Sequence, residues 1–84
     1  MIIRVFGRLR KVLGAEIIDL QAATVGEVRS LLRARLAGDD EQARAMLDNA
    51  VVLVNGRNAQ ALGGEAAPLR ADDEMTVLQQ IAGG

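Results

Sequence analysis

The sequence contains no cysteine and no histidine among its 84 residues. Without cysteine the chain has no disulfide bond and no thiolate nucleophile, and without histidine it has no side chain whose ordinary pKa lies near neutrality. The best zinc ligands are missing for the same reason. An enzyme built from this chain alone is therefore not expected, and the sequence predicts neither a catalytic side chain nor a metal site.

Aromatic residues are nearly absent, since Phe6 is the only one. Because proteins that bind single-stranded nucleic acids stack bases on aromatic side chains, nucleic-acid binding is not expected. Apolar residues never continue long enough to span a bilayer, and Arg4 interrupts the apolar N-terminus, so neither a membrane helix nor a signal peptide is predicted. We expect a cytoplasmic protein with no membrane partner.

The length and composition of the chain suit one small domain, because half of its 84 residues are hydrophobic, which is enough for a single core. The formal net charge is only −1, but the charges are unevenly distributed. Up to Leu36 there are seven Lys/Arg and three Asp/Glu, and from Ala37 onward there are three Lys/Arg and eight Asp/Glu. Such a polarity can orient a protein partner electrostatically.

The N-terminal part has the pattern of two adjacent strands. Residues 2–6, IIRVF, are β-branched and aromatic around one arginine, which predicts a strand with Ile3 and Val5 on one face. Residues 16–20, EIIDL, predict a second strand that forms a hairpin with the first. Residues 7–14 lie between two glycines and are expected to form a tight connection or a short helical turn.

The strongest helix signal covers residues 24–38. Thr24 can cap the helix, and Glu27 three residues later completes the spacing of a capping box. Gly38 is expected to end it, because glycine adopts the left-handed conformation most easily. The apolar positions at helical spacing are Val25, Val28, Leu31, Leu32 and Leu36.

The second half predicts a shorter helix followed by strands. Residues 39–50 begin with acidic side chains, which favour a helix N-terminus, and then carry an apolar stripe. A buried strand enters a hairpin at Asn55-Gly56, the dipeptide that best suits a type I′ turn. Residues 74–79 predict the last strand. The order is that of an α+β fold, a mixed four- to five-stranded sheet covered by one main helix plus a short second helix.

Four segments carry a resemblance to a known family. They are LRKVLG after the first strand, ATVGEV opening the helix, VVLVNGR with ALGG a few residues later, and ADDEMTVLQQIAGG at the end. In this order they resemble the MoaD/ThiS-type ubiquitin-like sulfur carriers, nearest to the archaeal-type small subunit of molybdopterin synthase and the small archaeal modifier proteins. The resemblance implies a ubiquitin-like β-grasp domain over residues 1–79 and a flexible C-terminal tail over residues 80–84.

The chain departs from the family pattern at two places. Asp72 stands where the family usually has a glycine before the last strand, and aspartate tolerates a left-handed turn better than most residues. Gln79 and Gln80 stand where the family commonly has two prolines, which would stiffen the tail.

The resemblance also implies a chemistry for the chain end. The working group is the α-carboxylate of Gly84, which a MoeB/ThiF-like adenylating enzyme joins to AMP using ATP. A sulfur donor enzyme then supplies the sulfur for a thiocarboxylate. Ile81, Ala82 and Gly83 are expected to enter the active site of a partner such as a MoaE-like synthase large subunit. No cofactor is bound permanently, and ATP and AMP are met only through the activating enzyme.

Alternatives to this role start from the same chain end. A protein modifier would link Gly84 to lysine amines, and self-linked chains would have to use Lys11, the only lysine, or the N-terminal amine. A carrier could also serve thiamine synthesis or tRNA thiolation, and a plain interaction domain would make no use of its tail.

Phe6 and Leu78 allow two interpretations, an apolar docking patch for a partner or packing in the core.

Overall fold

The computed structural model describes residues 1–36, 38 and 40–79. Five strands and three α-helices form in this part of the chain. The strands are β1 (Ile2–Val5), β2 (Ile17–Asp19), β3 (Val51–Val54), β4 (Arg57–Asn58) and β5 (Glu74–Leu78). The helices are α1 (Arg8–Leu13), α2 (Val25–Arg33) and α3 (Glu41–Asp48). Two short 3₁₀ helices, Ala59–Leu62 and Gly64–Ala66, connect β4 to β5.

The strands form one mixed sheet in the order β2-β1-β5-β3-β4. The two central strands, β1 and β5, run parallel, with Ile3 opposite Met75 and Val5 opposite Val77. Every other neighbouring pair is antiparallel, including the predicted hairpin of β1 with β2. The predicted mixed sheet is therefore confirmed, and it has five strands.

The core lies between one face of this sheet and the helices. The side chains that alternate inward from β1 and β5 are almost completely buried, as the pattern of those strands predicts. The helices cover them with apolar stripes. The largest fully buried side chains are Ile3, Leu9, Leu32, Leu47, Met75, Val5, Val25, Val28 and Val77.

Helix α2 begins as predicted but ends early. The Thr24 hydroxyl oxygen accepts a hydrogen bond from the Glu27 N–H at 3.2 Å. The helix ends at Arg33 rather than Gly38, because the amides of Arg35 and Leu36 bond to carbonyls three residues back, which tightens the chain into turns. Leu31 was predicted on the buried face, but it is 40% exposed. It lies at the margin of the narrower stripe formed by its buried neighbours.

The segment between β1 and β2 forms a complete short helix, α1. Leu9 and Leu13 lie one turn apart and are both buried in the core. Gly14 ends the helix in the left-handed conformation, with φ of 74°, and its N–H donates to the Arg10 carbonyl. Of the two interpretations offered by the sequence, the helical one is therefore confirmed.

The predicted turn after β3 is also confirmed, since Asn55 and Gly56 have φ of 52° and 83°. Asp72 does not take a left-handed conformation. In the described part of the chain, Asn55 is the one non-glycine residue with positive φ. The turn before β5 is instead fixed by Asp73, whose carboxylate accepts from the Arg70 N–H at 2.7 Å and from Asn55 Nδ2 at 2.9 Å. These hydrogen bonds lower the pKa of Asp73 below its usual 3.8.

Candidate functional site

The sheet face opposite the described helices carries an apolar row where β5 ends. Phe6 follows Val5 at the end of β1, and its N–H donates to the Val77 carbonyl at 3.1 Å. Alternation therefore places the Phe6 side chain outward beside Leu78, which pairs on its other side with Val51. Phe6 is 49% exposed, so it does not pack in the core. Leu78 and Val51 are half-buried.

A second row runs beside the first on the same face. Arg4 pairs with Ile17 on one side and with Thr76 on the other, and Thr76 pairs with Leu53. Ile17 is 54% exposed, and Leu53 is half-buried. We name the apolar members of both rows the outer patch; it consists of Phe6, Ile17, Val51, Leu53 and Leu78.

The sequence prediction identified two members of the outer patch, Phe6 and Leu78, and missed the other three. Ile17 has an available signal, since it alternates with the inward Ile18. Val51 and Leu53 lie in a continuous apolar run that predicts a strand buried on both faces. Their outward position becomes evident only when the strand order is known.

The start of the C-terminal segment is held beside α1. Gln79 is the last described residue, and its side-chain oxygen Oε1 accepts from the Arg8 N–H at 3.4 Å. Gln79 also lines a small cleft with Ala45, Met46 and Asn49 of the α3 region. Gln79 therefore lies next to α1 and α3.

The remaining residues predicted for the site are Ile81, Ala82, Gly83 and Gly84, and they lie outside the described residues. Their roles stay predictions.

The arginines of α2 make contacts within the chain. The Arg29 side chain is 13% exposed, and its Nε donates to Glu65 Oε1 at 2.9 Å. Its Nη1 donates to the carbonyls of Leu47 and Asp48 at the end of α3. Arg33 forms an ion pair with Asp48. Arg29 therefore fastens α2 to α3 and to the second 3₁₀ helix, and lines a cleft of about 320 Å³ there.

Two further features of the described residues bear on function. Within residues 1–36, 38 and 40–79, no group of three or more carboxylates is arranged to hold a metal ion. In the acidic turn at residues 72–74, the Asp73 carboxylate accepts hydrogen bonds from Arg70 and Asn55, and the Glu74 N–H donates to Asn55 Oδ1. No helix in the same part of the chain is long and apolar enough to cross a membrane.

Comparison with known proteins decides the family. The model of the ThiS family matches residues 3–84, which is nearly the whole chain. The chain belongs to the ThiS family. No curated protein sequence matches it significantly.

Solved structures similar to this ThiS-family chain include small archaeal modifier protein 1 from Methanosarcina acetivorans, with a TM-score of 0.76 and 24% identity over 99% of this chain and 94% of the other. A chain in the BexX/CysO complex of Amycolatopsis orientalis has a TM-score of 0.74 and 26% identity, over 99% and 98%. A chain in the complex of subunits 1 and 2 of molybdopterin-converting factor from Helicobacter pylori has a TM-score of 0.65 and 20% identity, over 99% and 96%.

These likenesses confirm the fold, and the family match gives the class of protein. The five-stranded mixed sheet with its crossing helix is a ubiquitin-like β-grasp, as the sequence resemblance implied. The ThiS family and its structural neighbours are ubiquitin-fold sulfur carriers and modifiers of the ThiS/MoaD type. Two of the neighbours were solved in complexes with other proteins.

Proposed function

We propose that this protein is a sulfur carrier whose C-terminal Gly84 is adenylated and converted to a thiocarboxylate, and that it acts as the small subunit of molybdopterin synthase. The observation that carries the proposal is the ThiS-family match, which continues through the Gly-Gly pair at residues 83–84. A chain without cysteine or histidine has few side chains for group transfer, and a terminal carboxylate supplies the missing reactive group.

The chemistry needs an activating enzyme. An α-carboxyl group has a pKa of about 3.5, so at neutral pH it is ionised and a poor electrophile. Joining one carboxylate oxygen of Gly84 to the α-phosphorus of ATP, with loss of pyrophosphate, gives an acyl adenylate. The terminal sulfur of a donor persulfide then attacks the carbonyl carbon, and the bond to the AMP oxygen breaks, which gives an acyl disulfide. A thiol of the sulfur donor system cleaves the S–S bond of this acyl disulfide, so that the thiocarboxylate leaves and the thiol is oxidised to a disulfide with the donor sulfur. ATP and the sulfur donor therefore act through partner enzymes.

The length and composition of residues 80–84 suit delivery into a partner. Five extended residues reach about 17 Å, enough for the terminal carbonyl to enter an active site while the domain stays outside. Gly83 and Gly84 have no side chains and fit a narrow channel. Ile81 would make apolar contact near the channel entrance.

The outer patch supports docking on a large partner. Exposed apolar side chains on a sheet face are a feature of protein interfaces, and the row of Phe6, Leu78 and Val51 lies at the end of β5, close in sequence to residues 80–84. A MoaE-like large subunit or a MoeB/ThiF-like enzyme that covers Phe6 and Leu78 would thus receive Gly84 at the same time. Arg4 lies within this face and would favour an acidic group on the partner.

The test is an intact-mass measurement after incubation with the cognate adenylating enzyme, ATP and a sulfur donor. Exchange of one oxygen for one sulfur at Gly84 supports the carrier, and deletion of Gly84 should abolish it. High-mass lysine adducts would support a modifier instead, and an unchanged mass would favour a plain interaction domain. The loaded protein is then added to candidate synthases for molybdopterin, thiamine or thiolated tRNA. The synthase that consumes the sulfur identifies the pathway.

A further inference from the structure

The cleft beside Arg29 lies along a part of the sheet edge that β4 does not cover. Strand β3 has four residues, but its pairing with β4 includes only Leu53 and Val54. The cleft of about 320 Å³ adjoins the other half of β3. We name it the edge cleft; the residues that matter for the argument are Arg29, Asp48, Val52, Asn58, Gln60 and Glu65.

We propose that the edge cleft binds an extended, uncharged peptide segment of a partner protein, which adds to the edge of β3 beside Val52. An uncovered strand edge is a template for pairing with another chain. The inference goes beyond the proposed function and does not depend on it, because it involves no atom of residues 80–84.

The main chain of Val52 faces this cleft. The Asn55 N–H donates to the Glu74 carbonyl, so positions 55, 53 and 51 direct their polar main-chain groups toward β5. Val52 alternates with them, and its N–H is directed away from β5. This N–H makes no hydrogen bond with the described residues, although Val52 is only 6% exposed. Because nearly all buried main-chain donors in proteins are paired, the Val52 N–H indicates an acceptor that comes from outside the chain.

Two side chains of the same cleft supply further donors. Arg29 uses its Nε and Nη1 within the chain, but its Nη2 makes no hydrogen bond with the described residues. Asn58 Oδ1 accepts from the Gln60 N–H at 2.9 Å, which leaves the Asn58 Nδ2 group as a donor. The donors of three residues thus border one cleft, and they suit a ligand that carries several carbonyl oxygens.

The charges around the edge cleft favour a neutral ligand. The cleft is lined by Arg29 and by two carboxylates, those of Asp48 and Glu65. Glu65 is paired with Arg29, and Asp48 is paired with Arg33. An added anion or cation would therefore find no unpaired charge to compensate for the water it loses. A peptide main chain suits the cleft better, because it carries carbonyl oxygens and no net charge.

The edge cleft and the outer patch can serve different partners. Arg29 reaches the cleft from α2, on the side of the sheet that the helices cover, whereas the outer patch lies on the opposite face. A partner docked on the outer patch therefore need not cover the edge cleft. Pairing with a strand edge depends mainly on main-chain hydrogen bonds, so the segment should be recognised chiefly by its extended backbone.

The experiment uses the full chain, isotopically labelled for amide NMR, and the capped tripeptide acetyl-Ala-Val-Ala-amide as the probe. Titration with this peptide should move the Val52 amide signal in a saturable way and slow the exchange of the Val52 N–H with solvent at least about 10-fold. Acetate, which carries a charge and no peptide group, should leave the Val52 signal unchanged at the same concentrations.

A matched pair of variants tests the position of the site. Gln60 is exposed on the first 3₁₀ helix, and Gln60→Trp should obstruct the cleft and weaken peptide binding at least about 10-fold. Gln42→Trp makes the same change at an exposed position of α3 that does not line this cleft, and it should bind within about twofold of wild type. Urea unfolding establishes that both variants are folded.

Four results would overturn the proposal. A Val52 signal that ignores the peptide would exclude peptide binding, and an equal response to acetate would show an anion site instead. A Val52 signal that moves with protein concentration alone would show that a second copy occupies the edge. Unchanged binding by Gln60→Trp would place the peptide elsewhere. Sulfur loading takes no part in these measurements, so their outcome is separate from that of the proposed function.

Discussion

Truncation of Phe6 to alanine should weaken binding to the adenylating enzyme and to the synthase large subunit. Phe6 is 49% exposed at the end of β1 and belongs to the outer patch. A partner that docks over the end of β5 must cover it, because Leu78 lies directly beside it on the sheet. The loss of binding can be worked out from the surface that remains exposed.

A phenylalanine side chain buries about 200 Å² when fully covered. Half of that area, about 100 Å², is still available to a partner. At about 25 cal/mol per Å², covering it contributes about 2.5 kcal/mol. Alanine keeps the Cβ, so the expected loss is about 2 kcal/mol, which corresponds to a Kd about 30-fold weaker.

Titration calorimetry with the cognate adenylating enzyme measures the effect, and urea unfolding establishes that each variant is folded under the assay conditions. Leu31→Ala is the matched control, since Leu31 is 40% exposed but belongs to α2, on the other side of the sheet. Its Kd should equal that of wild type. A folded Phe6→Ala protein that binds within about twofold of wild type would refute the docking role of the outer patch.

Three further variants test the tail, the core and a turn. Deletion of Gly84 should leave the urea midpoint unchanged and abolish sulfur loading by intact mass; normal loading would exclude the terminal mechanism. Leu32→Ala should lower the free energy of unfolding by about 2 to 5 kcal/mol through a cavity, as measured by urea denaturation; a smaller loss would show that the core collapses around the site. Asp73→Asn should be less stable than wild type at pH 7, with the difference shrinking as pH falls below 3.8. The lowered pKa means that the stability supplied by the Asp73 carboxylate is complete above the unfolded pKa and is lost as the folded form is protonated; a difference independent of pH would contradict this.

Local patterns predicted most of the elements because each depends on a few neighbouring residues. The Thr24 cap, the Asn55-Gly56 turn and the shared face of Ile3 and Val5 were all evident from spacing, and all are confirmed. The end of α2 was wrong, because hydrogen bonds to carbonyls three residues back end it before Gly38.

The candidate site was harder to predict, because it depends on contacts between distant segments. Phe6 and Leu78 become neighbours only through the parallel pairing of β1 with β5. Arg29 gave no sequence signal for its contacts with Glu65 and the end of α3, which lie at least eighteen positions away. The Gly-Gly pair at residues 83–84 could be singled out from the sequence alone, because what marks it is its position in the chain and not a tertiary contact.

The parallel pairing of β1 with β5 also constrains how the protein is made. Its central strands come from opposite ends of the sequence, with Ile2 opposite Glu74. During synthesis the N-terminal strand must wait for its partner until nearly all of the chain has been translated, and closing so long a loop slows folding. The domain can therefore fold only once β5, which directly precedes residues 79–84, has been made. Under the proposed function, an activating enzyme would then meet Gly84 on a sheet that has already folded.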